Sequence, residues 1–441
     1  MPPVEHVPAP PKPGFRAWWT VGLLCGLYII SYIDRIIPSL LVGPLKQDFN
    51  VNDFEIGLLF GGAFAIFYGL LGLPLARVAD TRNRKHLVLA GVALWGLCTT
   101  FSGIATSYGI LVSLRIGLAI GEAALSPAAY SMIGDMFPPE RRALPAGIYA
   151  AAGSMGGYGS YIVGAAVITA LSSGGLADLP FLAGFKLWQL VFFTVGVPGL
   201  LLCAVFFLTT REPGRHSAET STTQPLAEVI AYFRHRWQLY LGLFLGAGGV
   251  NLIVFAYGAW APELFRRTYG WTISQAGFAF GATGIIAAAA GTISFTMLAE
   301  FLRKRGRRDG LVLAALLASL TGCTAAIAAP LAPEASQALV GIAIMIFALS
   351  GCSNLAVVSV QFIAPGEIRA TAIALLFMCT TMIGLGLGPP VVAMLSEGVF
   401  SGTGGLAPAL SLLAGVTLPL SAGLVMWSRQ PYIQQVSRPE Q

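Results

Sequence analysis

The sequence has 441 residues, of which 56% are hydrophobic and only 10% are charged. An average soluble domain carries about a quarter charged residues, so this composition, with a mean hydropathy of +0.74, excludes an ordinary water-soluble protein. The net charge of +6 would suit a nucleic-acid-binding protein, but the basic residues lie in short segments between long apolar runs. That distribution predicts a membrane protein, with the lipid bilayer as its partner and no nucleic acid.

Twelve apolar runs are long enough to cross a bilayer as helices, because about 20 such residues span roughly 30 Å of hydrocarbon. The Pro-rich segment before the first run lacks the features of a signal peptide and is predicted to be a disordered tail. The six Cys residues all lie inside predicted spans without metal or redox spacing, so we expect no metal and no cofactor. The predicted spans are 17–41, 54–79, 86–106, 108–136, 143–171, 187–209, 237–262, 273–300, 311–330, 336–363, 371–396 and 406–428.

The longest polar segment between these spans, residues 211–236, has six spans before it and six after it. Most Lys and Arg residues fall on the side of the two termini, which the positive-inside rule assigns to the cytoplasm. The sequence therefore predicts an all-α protein of the inner or plasma membrane, with two pseudo-symmetric six-helix bundles and both termini cytoplasmic. Its parts are a tail at 1–16, a first bundle at 17–210, a cytoplasmic linker at 211–236, a second bundle at 237–428 and a tail at 429–441.

Two pairs of loops repeat between the halves and predict a charged gate at the cytoplasmic face. Residues 138–143 read PPERRA and residues 365–370 read PGEIRA, while an acid followed by basic residues recurs at 79–85 and 299–305. Ion pairs between such helix ends could hold one face closed and release it when the bundles rock. For the second pair, the alternative that any cytoplasmic loop collects basic residues stays open. The predicted gate comprises Asp80, Arg84, Arg142, Glu300 and Arg369.

Four charged residues lie deep inside predicted spans, namely Asp34, Arg35, Arg115 and Glu122. An ionised side chain at the centre of a membrane helix costs about 2.5–3.5 kcal/mol, so these residues must pair or face water. At about 1.5 Å per residue, Asp34 and Arg115 lie at a similar depth, and Glu122 lies two turns beyond Arg115 on the same face. We expect Arg115 to be the partner of Asp34 in a relay for a proton or an anion. A buried pair that only holds two helices together is the alternative.

The membrane-depth residues favour transport over catalysis. None of the four His residues lies at membrane depth, because each falls in a predicted tail or loop or at the first residue of a span. This leaves Asp34 and Glu122 as the carboxyls available for proton coupling. A membrane-embedded lipid-modifying enzyme would need a nucleophile, a base or a metal set, and no such motif occurs. The phosphate loop of ATP-driven pumps is also missing. We therefore predict no catalytic residue.

Neutral polar residues dominate the second half at membrane depth. Some of them could line a cavity between the bundles, and the alternative is that they only bond neighbouring helices. By contrast, Glu263 and Glu397 lie near outer helix ends, where we expect solvation rather than function. The candidates for cavity lining are Tyr257, Trp260 and Asn354, with Tyr32 from the first span.

The loop after the second span resembles the signature of the Major Facilitator Superfamily, and the resemblance covers essentially the whole chain. That signature runs Gly-x-x-x-Asp-Arg-x-Gly-Arg-Arg, and residues 76–85 read ARVADTRNRK. Asp80, Arg84 and Lys85 match, whereas the other three specified positions depart. The resemblance implies two six-helix bundles that work by alternating access, and supports a gating role for Asp80.

Within this superfamily the chain resembles Spinster-type lipid transporters in three stretches. These are YIDR at 32–35, RIGLAIGEA at 115–123 and GAWAP at 258–262. The resemblance implies that the acid of the first stretch and the Arg and Glu of the second act in substrate and proton coupling. It also implies a lysophospholipid or sphingoid phosphate as substrate, carried with protons by a monomer. Organic anion symporters share the first two patterns and are the alternative.

Overall fold

The computed structural model describes residues 14–173, 184–214, 226–401 and 404–437. This part of the chain is helical and contains no strand. The twelve long helices are α1 (Phe15–Ile36), α2 (Asp53–Gly57, Leu58–Gly62 and Ala63–Thr81), α3 (Arg84–Ser102), α4 (Tyr108–Ala123 and Leu125–Met136), α5 (Ala143–Ser172), α6 (Leu187–Thr209), α7 (Trp237–Tyr269), α8 (Ile273–Lys304), α9 (Gly310–Ala328), α10 (Ala335–Ile363), α11 (Gly366–Thr380, Thr381–Leu385 and Gly386–Gly398) and α12 (Leu406–Trp427). They confirm the predicted all-α membrane fold.

The helix bounds differ from the predicted spans mainly where proline or a polar end intervenes. The first span ends as a 3-10 turn over Ile37–Leu40, because Pro38 lacks the N–H that would continue the α-helix. By contrast, α7 extends beyond the predicted end at 262, because the helix continues through Pro262 to Tyr269. Of the predicted tails and linker, residues 1–13, 215–225 and 438–441 lie outside the described residues. The described parts of the linker and of the last tail contain the short helices Leu226–His235 and Arg429–Val436.

The two ends of the bundle differ in charge. The end where α1 begins and α12 ends carries Arg16, Lys85, Arg303 and Arg429, and we call it the basic face. The connections between α1 and α2 and between α7 and α8 lie at the other end, called the opposite face. A short helix, Val42–Phe49, forms most of the α1–α2 connection. Each functional residue can therefore be placed by its distance from these two faces.

Among the described residues, the halves meet mainly through two helix pairs, α2 with α11 and α5 with α8. In the first pair both helices contain a π-helical turn, over Leu58–Gly62 and Thr381–Leu385. Only glycine allows this approach, because a Cβ on Gly61 would lie 1.9 Å from the Leu385 carbonyl oxygen. Tyr161 of α5 also donates a 2.6 Å hydrogen bond to the Gly258 carbonyl of α7. The two bundles are thus in direct contact on the side of the opposite face.

Candidate functional site

A small cavity lies between the halves at the end of α1. Arg35 and Tyr32 line it from the first bundle, and Phe255, Gly258 and Pro389 line it from the second. Its volume is about 70 Å³, which is room for a few water molecules but not for a large solute. Most of its surface is aromatic or aliphatic, and Arg35 supplies its one charge among the lining residues described. The cavity therefore offers a single cation in apolar surroundings.

The Arg35 guanidinium is held by one carboxylate and three aromatic rings. Its Nη2 donates to Glu122 of α4, and the two side chains are 13% and 1% exposed. The guanidinium carbon lies 5.0, 4.7 and 5.2 Å from the ring centroids of Tyr32, Phe64 and Tyr68. Such contacts stabilise a desolvated cation by up to about 2 kcal/mol. An anion entering the cavity would therefore meet a positioned guanidinium that already has one acidic partner.

Asp34 and Arg115 are both buried, but their side chains do not form the predicted pair. Nη1 of Arg115 donates at 2.8 Å to the main-chain carbonyl of Asp34 instead. That carbonyl is open because Pro38, four residues on, has no N–H to offer it. Among the described residues, neither carboxylate oxygen of Asp34 has a hydrogen-bond partner. Arg115 is thus a support for the end of α1, and its guanidinium also lies over the Phe192 ring at 5.1 Å.

Three tyrosines of the first bundle that we did not single out from the sequence, Tyr28, Tyr130 and Tyr149, form a group with Tyr32, which we did. Tyr28 packs against Tyr32 and stacks on Tyr149, with ring centroids 5.3 and 4.7 Å apart. Tyr130 meets the edge of Tyr149 and is 46% exposed. The spacing of Tyr28, Tyr32 and Arg35 at three and four residues puts them on one face of α1, which is a signal the sequence contains.

The predicted lining residues of the second half use their polar atoms within that half. Tyr257 is fully buried and donates to the Ala326 carbonyl. Trp260 is also fully buried, and its indole N–H donates to the Pro389 carbonyl at 2.9 Å. These two residues therefore do not line the cavity in this conformation, because each finds a main-chain acceptor in a packed core. Asn354 donates to Thr296 of α8 at 3.0 Å.

The residues of the predicted gate make their hydrogen bonds and ion pairs mainly within one half. Arg142 and Arg369 each donate through Nε to the main-chain carbonyl five residues earlier, so the repeated loops adopt the same contact. Arg84 is 1% exposed and binds Asp135 and, at 2.7 Å, Glu212. It therefore anchors α3 to α4 and to the start of the linker. Asp80 and Glu300 are exposed at the basic face, where Glu300 pairs with Lys304 at 2.9 Å.

Charged residues join the two halves at the opposite face. Both carboxylate oxygens of Asp53, at the start of α2, accept hydrogen bonds from Arg267 of α7 at 2.6 and 2.8 Å. Glu397 of α11 accepts from the main-chain N–H of Asp53 at 2.6 Å. The expectation that Glu263 is solvated is wrong, since it is 3% exposed and paired with Arg267. The extension of α7 beyond Pro262 places the arginines one turn after this acid.

The profile of the Major Facilitator Superfamily matches residues 24–389, and the chain therefore belongs to this superfamily. The MFS-type efflux pump of Mycolicibacterium smegmatis is 29% identical over 428 residues, which are 93% of this chain and 92% of that protein. The probable L-galactonate transporter of Escherichia coli is 28% identical over 279 residues, 58% of this chain and 57% of its own length.

A solved structure gives the same picture for the fold. A bacterial homolog of the human lysosomal transporter Spinster, in an inward-facing and unoccupied conformation, aligns with a TM-score of 0.78 and 26% identity. The alignment covers 96% of this chain and 98% of that one. The resemblance to Spinster-type transporters is thus confirmed. The chain is a multi-pass membrane protein and a secondary transporter of a small molecule, not an enzyme.

Proposed function

We propose that this chain is a proton-coupled carrier in the plasma membrane that moves an amphipathic lipid with an anionic or zwitterionic head, such as a lysophospholipid or a sphingoid phosphate. The observation that carries the proposal is the position of Arg35, between the two bundles and ringed by Tyr32, Phe64 and Tyr68. A phosphate group could replace Glu122 on the guanidinium, because Arg binds phosphate and carboxylate in the same geometry. The aromatic surroundings suit an attached apolar chain.

Competition for Arg35 supplies a coupling step. When Glu122 is ionised, its carboxylate pairs with the Arg35 guanidinium. An incoming anion must then displace this buried carboxylate to bind Arg35. A proton on Glu122 removes that competitor, so proton and anion occupy the site together. Loss of the proton restores the pair between Arg35 and Glu122 and expels the anion. This cycle is a symport, with Asp34 as the second carboxyl of the same chamber.

Two observations support an assignment of the side of the membrane to which the site is open: the charge of the two faces and the position of the contacts between the halves. The basic face is the cytoplasmic face by the positive-inside rule, which puts both termini inside. Contacts between the halves, such as those of Asp53 with Arg267 and of Gly61 with Leu385, lie toward the opposite face. We therefore assign this conformation to the inward-facing state of an alternating-access cycle carried out by a monomer.

Small organic anions are the second candidate. The similarity to a probable L-galactonate transporter and the 70 Å³ volume of the cavity favour a compact carboxylate. The aromatic and aliphatic lining favours an amphipathic substrate instead. Both candidates need the same cation, Arg35, so the difference between them lies in the neutral walls of the cavity.

Transport by purified protein in proteoliposomes tests the proposal. Labelled lysophosphatidylglycerol and labelled galactonate would be compared with and without an imposed pH difference. We expect uptake of the lysolipid to rise when the trans side is made alkaline, and Asp34→Asn and Glu122→Gln to remove that rise. Stimulated uptake of galactonate alone would establish the second candidate. A normal pH response in both carboxyl variants would contradict proton coupling at these residues.

A further inference from the structure

A second cavity lies at the basic face of the second bundle, far along the chain from Arg35. It is enclosed by the linker helix (Leu226–His235), the start of α7 and the C-terminal helix (Arg429–Val436), and its volume is about 170 Å³. We call it the edge cavity. The lining residues described include two basic residues and no acid, and they are His235, Arg236, Trp237, Gln238, Leu239, Pro431, Gln434 and Gln435.

Arg236 is held in the edge cavity by contacts that leave part of its guanidinium free. Its Nε donates to Oε1 of Gln435 at 3.0 Å, and its guanidinium carbon lies 4.3 Å from the ring centroid of Tyr232. Tyr232 is fixed in turn by Tyr240, since the two hydroxyl oxygens are 2.9 Å apart. Among the residues that the structure describes, no carboxylate pairs with Arg236 and its two Nη groups have no acceptor. The cavity therefore presents an oriented cation whose free donors suit a phosphate group.

Close packing of α7 on α12 places this cation at the edge of the membrane. A Cβ on Gly242 would lie 2.7 Å from the Leu424 carbonyl oxygen, so the two helices approach here more closely than a side chain would allow. The first residue of α7, Trp237, meets the last residue of α12, Trp427, with ring centroids 5.5 Å apart. Both indoles are exposed, and exposed Trp at the ends of membrane helices lies among the lipid head groups. Because Trp237 also lines the edge cavity, the cavity is at head-group depth.

An exposed apolar surface continues from the two tryptophans toward the middle of the membrane. On α12, Val416 and Leu420 are exposed like Trp427, and spacings of four and seven residues put the three on one face of the helix. Leu241 of α7, one turn after Trp237, is exposed as well. Helix α12 contains no charged residue. This surface suits the acyl chains of a lipid whose phosphate lies in the edge cavity.

We propose that the edge cavity binds the head group of an anionic diacyl phospholipid from the leaflet at the basic face, with Arg236 donating to its phosphate. Charge favours an anionic lipid over a zwitterionic one, because a cationic head group would meet His235 and Arg236 without an acid to bind it. Glu228, the acid of the linker helix, lies two turns before His235 and does not line the cavity. Arg35 lies between the two bundles, so the inference does not depend on the proposed substrate.

Native mass spectrometry of the purified full-length protein, titrated with dioleoylphosphatidylglycerol or dioleoylphosphatidylcholine, tests this site. We expect the unsubstituted protein to bind the anionic phosphatidylglycerol more tightly. Arg236→Gln should weaken binding of phosphatidylglycerol about tenfold, because the phosphate loses a charge-assisted donor. Its binding of phosphatidylcholine should not change, which also shows that the variant is folded. Equal binding of the two lipids by the unsubstituted protein, or unchanged binding of phosphatidylglycerol by Arg236→Gln, would overturn the proposal.

Three controls separate this site from other sources of lipid binding. Arg234→Gln removes a positive charge from the same helix at an exposed position that does not line the cavity, and it should bind phosphatidylglycerol normally. Equal losses in Arg234→Gln and Arg236→Gln would overturn the site, because general attraction to positive charge would then explain binding. Arg35→Lys should also bind normally, and a loss there but not in Arg236→Gln would assign the lipid to the central cavity instead. Displacement of phosphatidylglycerol by an excess of inorganic phosphate would overturn the choice of a lipid.

Discussion

Arg35 is the residue on which substrate recognition is proposed to depend, and its guanidinium has properties that lysine lacks. The group is planar, stacks on Tyr32 and Phe64, and presents several donors in a fixed geometry. We expect Arg35→Lys to weaken binding of lysophosphatidylglycerol at least tenfold, since a charge-assisted hydrogen bond contributes about 1.5–3 kcal/mol. Binding to the purified protein would be measured by thermophoresis. Arg77→Lys, at an exposed site of α2, is the control and should bind normally.

Glu122 is predicted to set the pH dependence of anion binding. In the unsubstituted protein, the ionised Glu122 carboxylate competes for Arg35, so affinity for the anion should fall as pH rises. Glu122→Gln removes the competing charge at every pH. Its affinity for lysophosphatidylglycerol should therefore stay high and vary much less with pH, measured by the same binding assay. A variant whose affinity still falls in parallel with that of the unsubstituted protein would show that another group controls Arg35.

The sequence revealed which residues are charged in the membrane but not how they pair. Asp34, Arg35, Arg115 and Glu122 stand out because ionised groups in apolar helices are rare. The predicted pair of Asp34 with Arg115 rested on equal depth along two helices. The observed contact of Arg115 depends on the carbonyl that Pro38 leaves open, and that of Arg35 depends on the rotation of α1 about its axis. Hydropathy predicts neither the open carbonyl nor the rotation of α1.

At the scale of single elements, the helix positions follow from hydropathy and the interruptions follow from neighbouring helices. Apolar runs are enough to predict the twelve helices to within about five residues at each end, except at the end of α7, which continues to Tyr269. The π-helical turns at Leu58–Gly62 and Thr381–Leu385 were not predicted, because each is formed where α2 and α11 pack on one another. The glycine-rich and proline-rich sequence of α11 indicates only that such an approach is allowed.

Gly61 tests whether close packing of α2 on α11 is needed for closure at the opposite face. A methyl group there would lie 1.9 Å from the Leu385 carbonyl oxygen, which is a main-chain atom and has little room to move. We expect Gly61→Ala to separate the helices and to reduce transport in proteoliposomes at least tenfold. Gly72→Ala is the matched control, because no atom lies within 4 Å of a Cβ at that position of α2. Equal transport by the two variants would contradict the prediction.

At the scale of the whole molecule, the two faces are held differently. The residues predicted as a gate at the basic face mostly bind within their own half, as shown by Arg84 and by the matching contacts of Arg142 and Arg369. The opposite face is joined across the halves by Asp53, Arg267 and Glu397. The repeated loops identified the residues at the basic face, because an equivalent loop occurs once in each half. The second set joins unlike positions of the two halves, so no repeat marks it.

The pair formed by Asp53 and Arg267 is predicted to stabilise the closed state of the opposite face. Both groups are largely buried, with side chains 4% and 15% exposed, and loss of one partner of such a pair costs about 2 kcal/mol or more. Asp53→Asn and Arg267→Gln should therefore each lower the ratio of closed to open protein roughly 30-fold. The ratio can be measured by electron–electron resonance between spin labels at Thr106 and Ser336, exposed in different halves.

Two further variants test whether the contact between Asp53 and Arg267 itself governs closure of the opposite face: the double variant and a change at a neighbouring acid. Asp53→Asn combined with Arg267→Gln should open the face little more than either single change, because each removes the same interaction. Glu55→Gln is the control: Glu55 lies in the same helical turn, but its side chain accepts from Asn52 of its own half. If Glu55→Gln opens this face as much as Asp53→Asn, a general loss of negative charge rather than the contact with Arg267 governs closure. Additive effects of the two single changes would likewise contradict the pair.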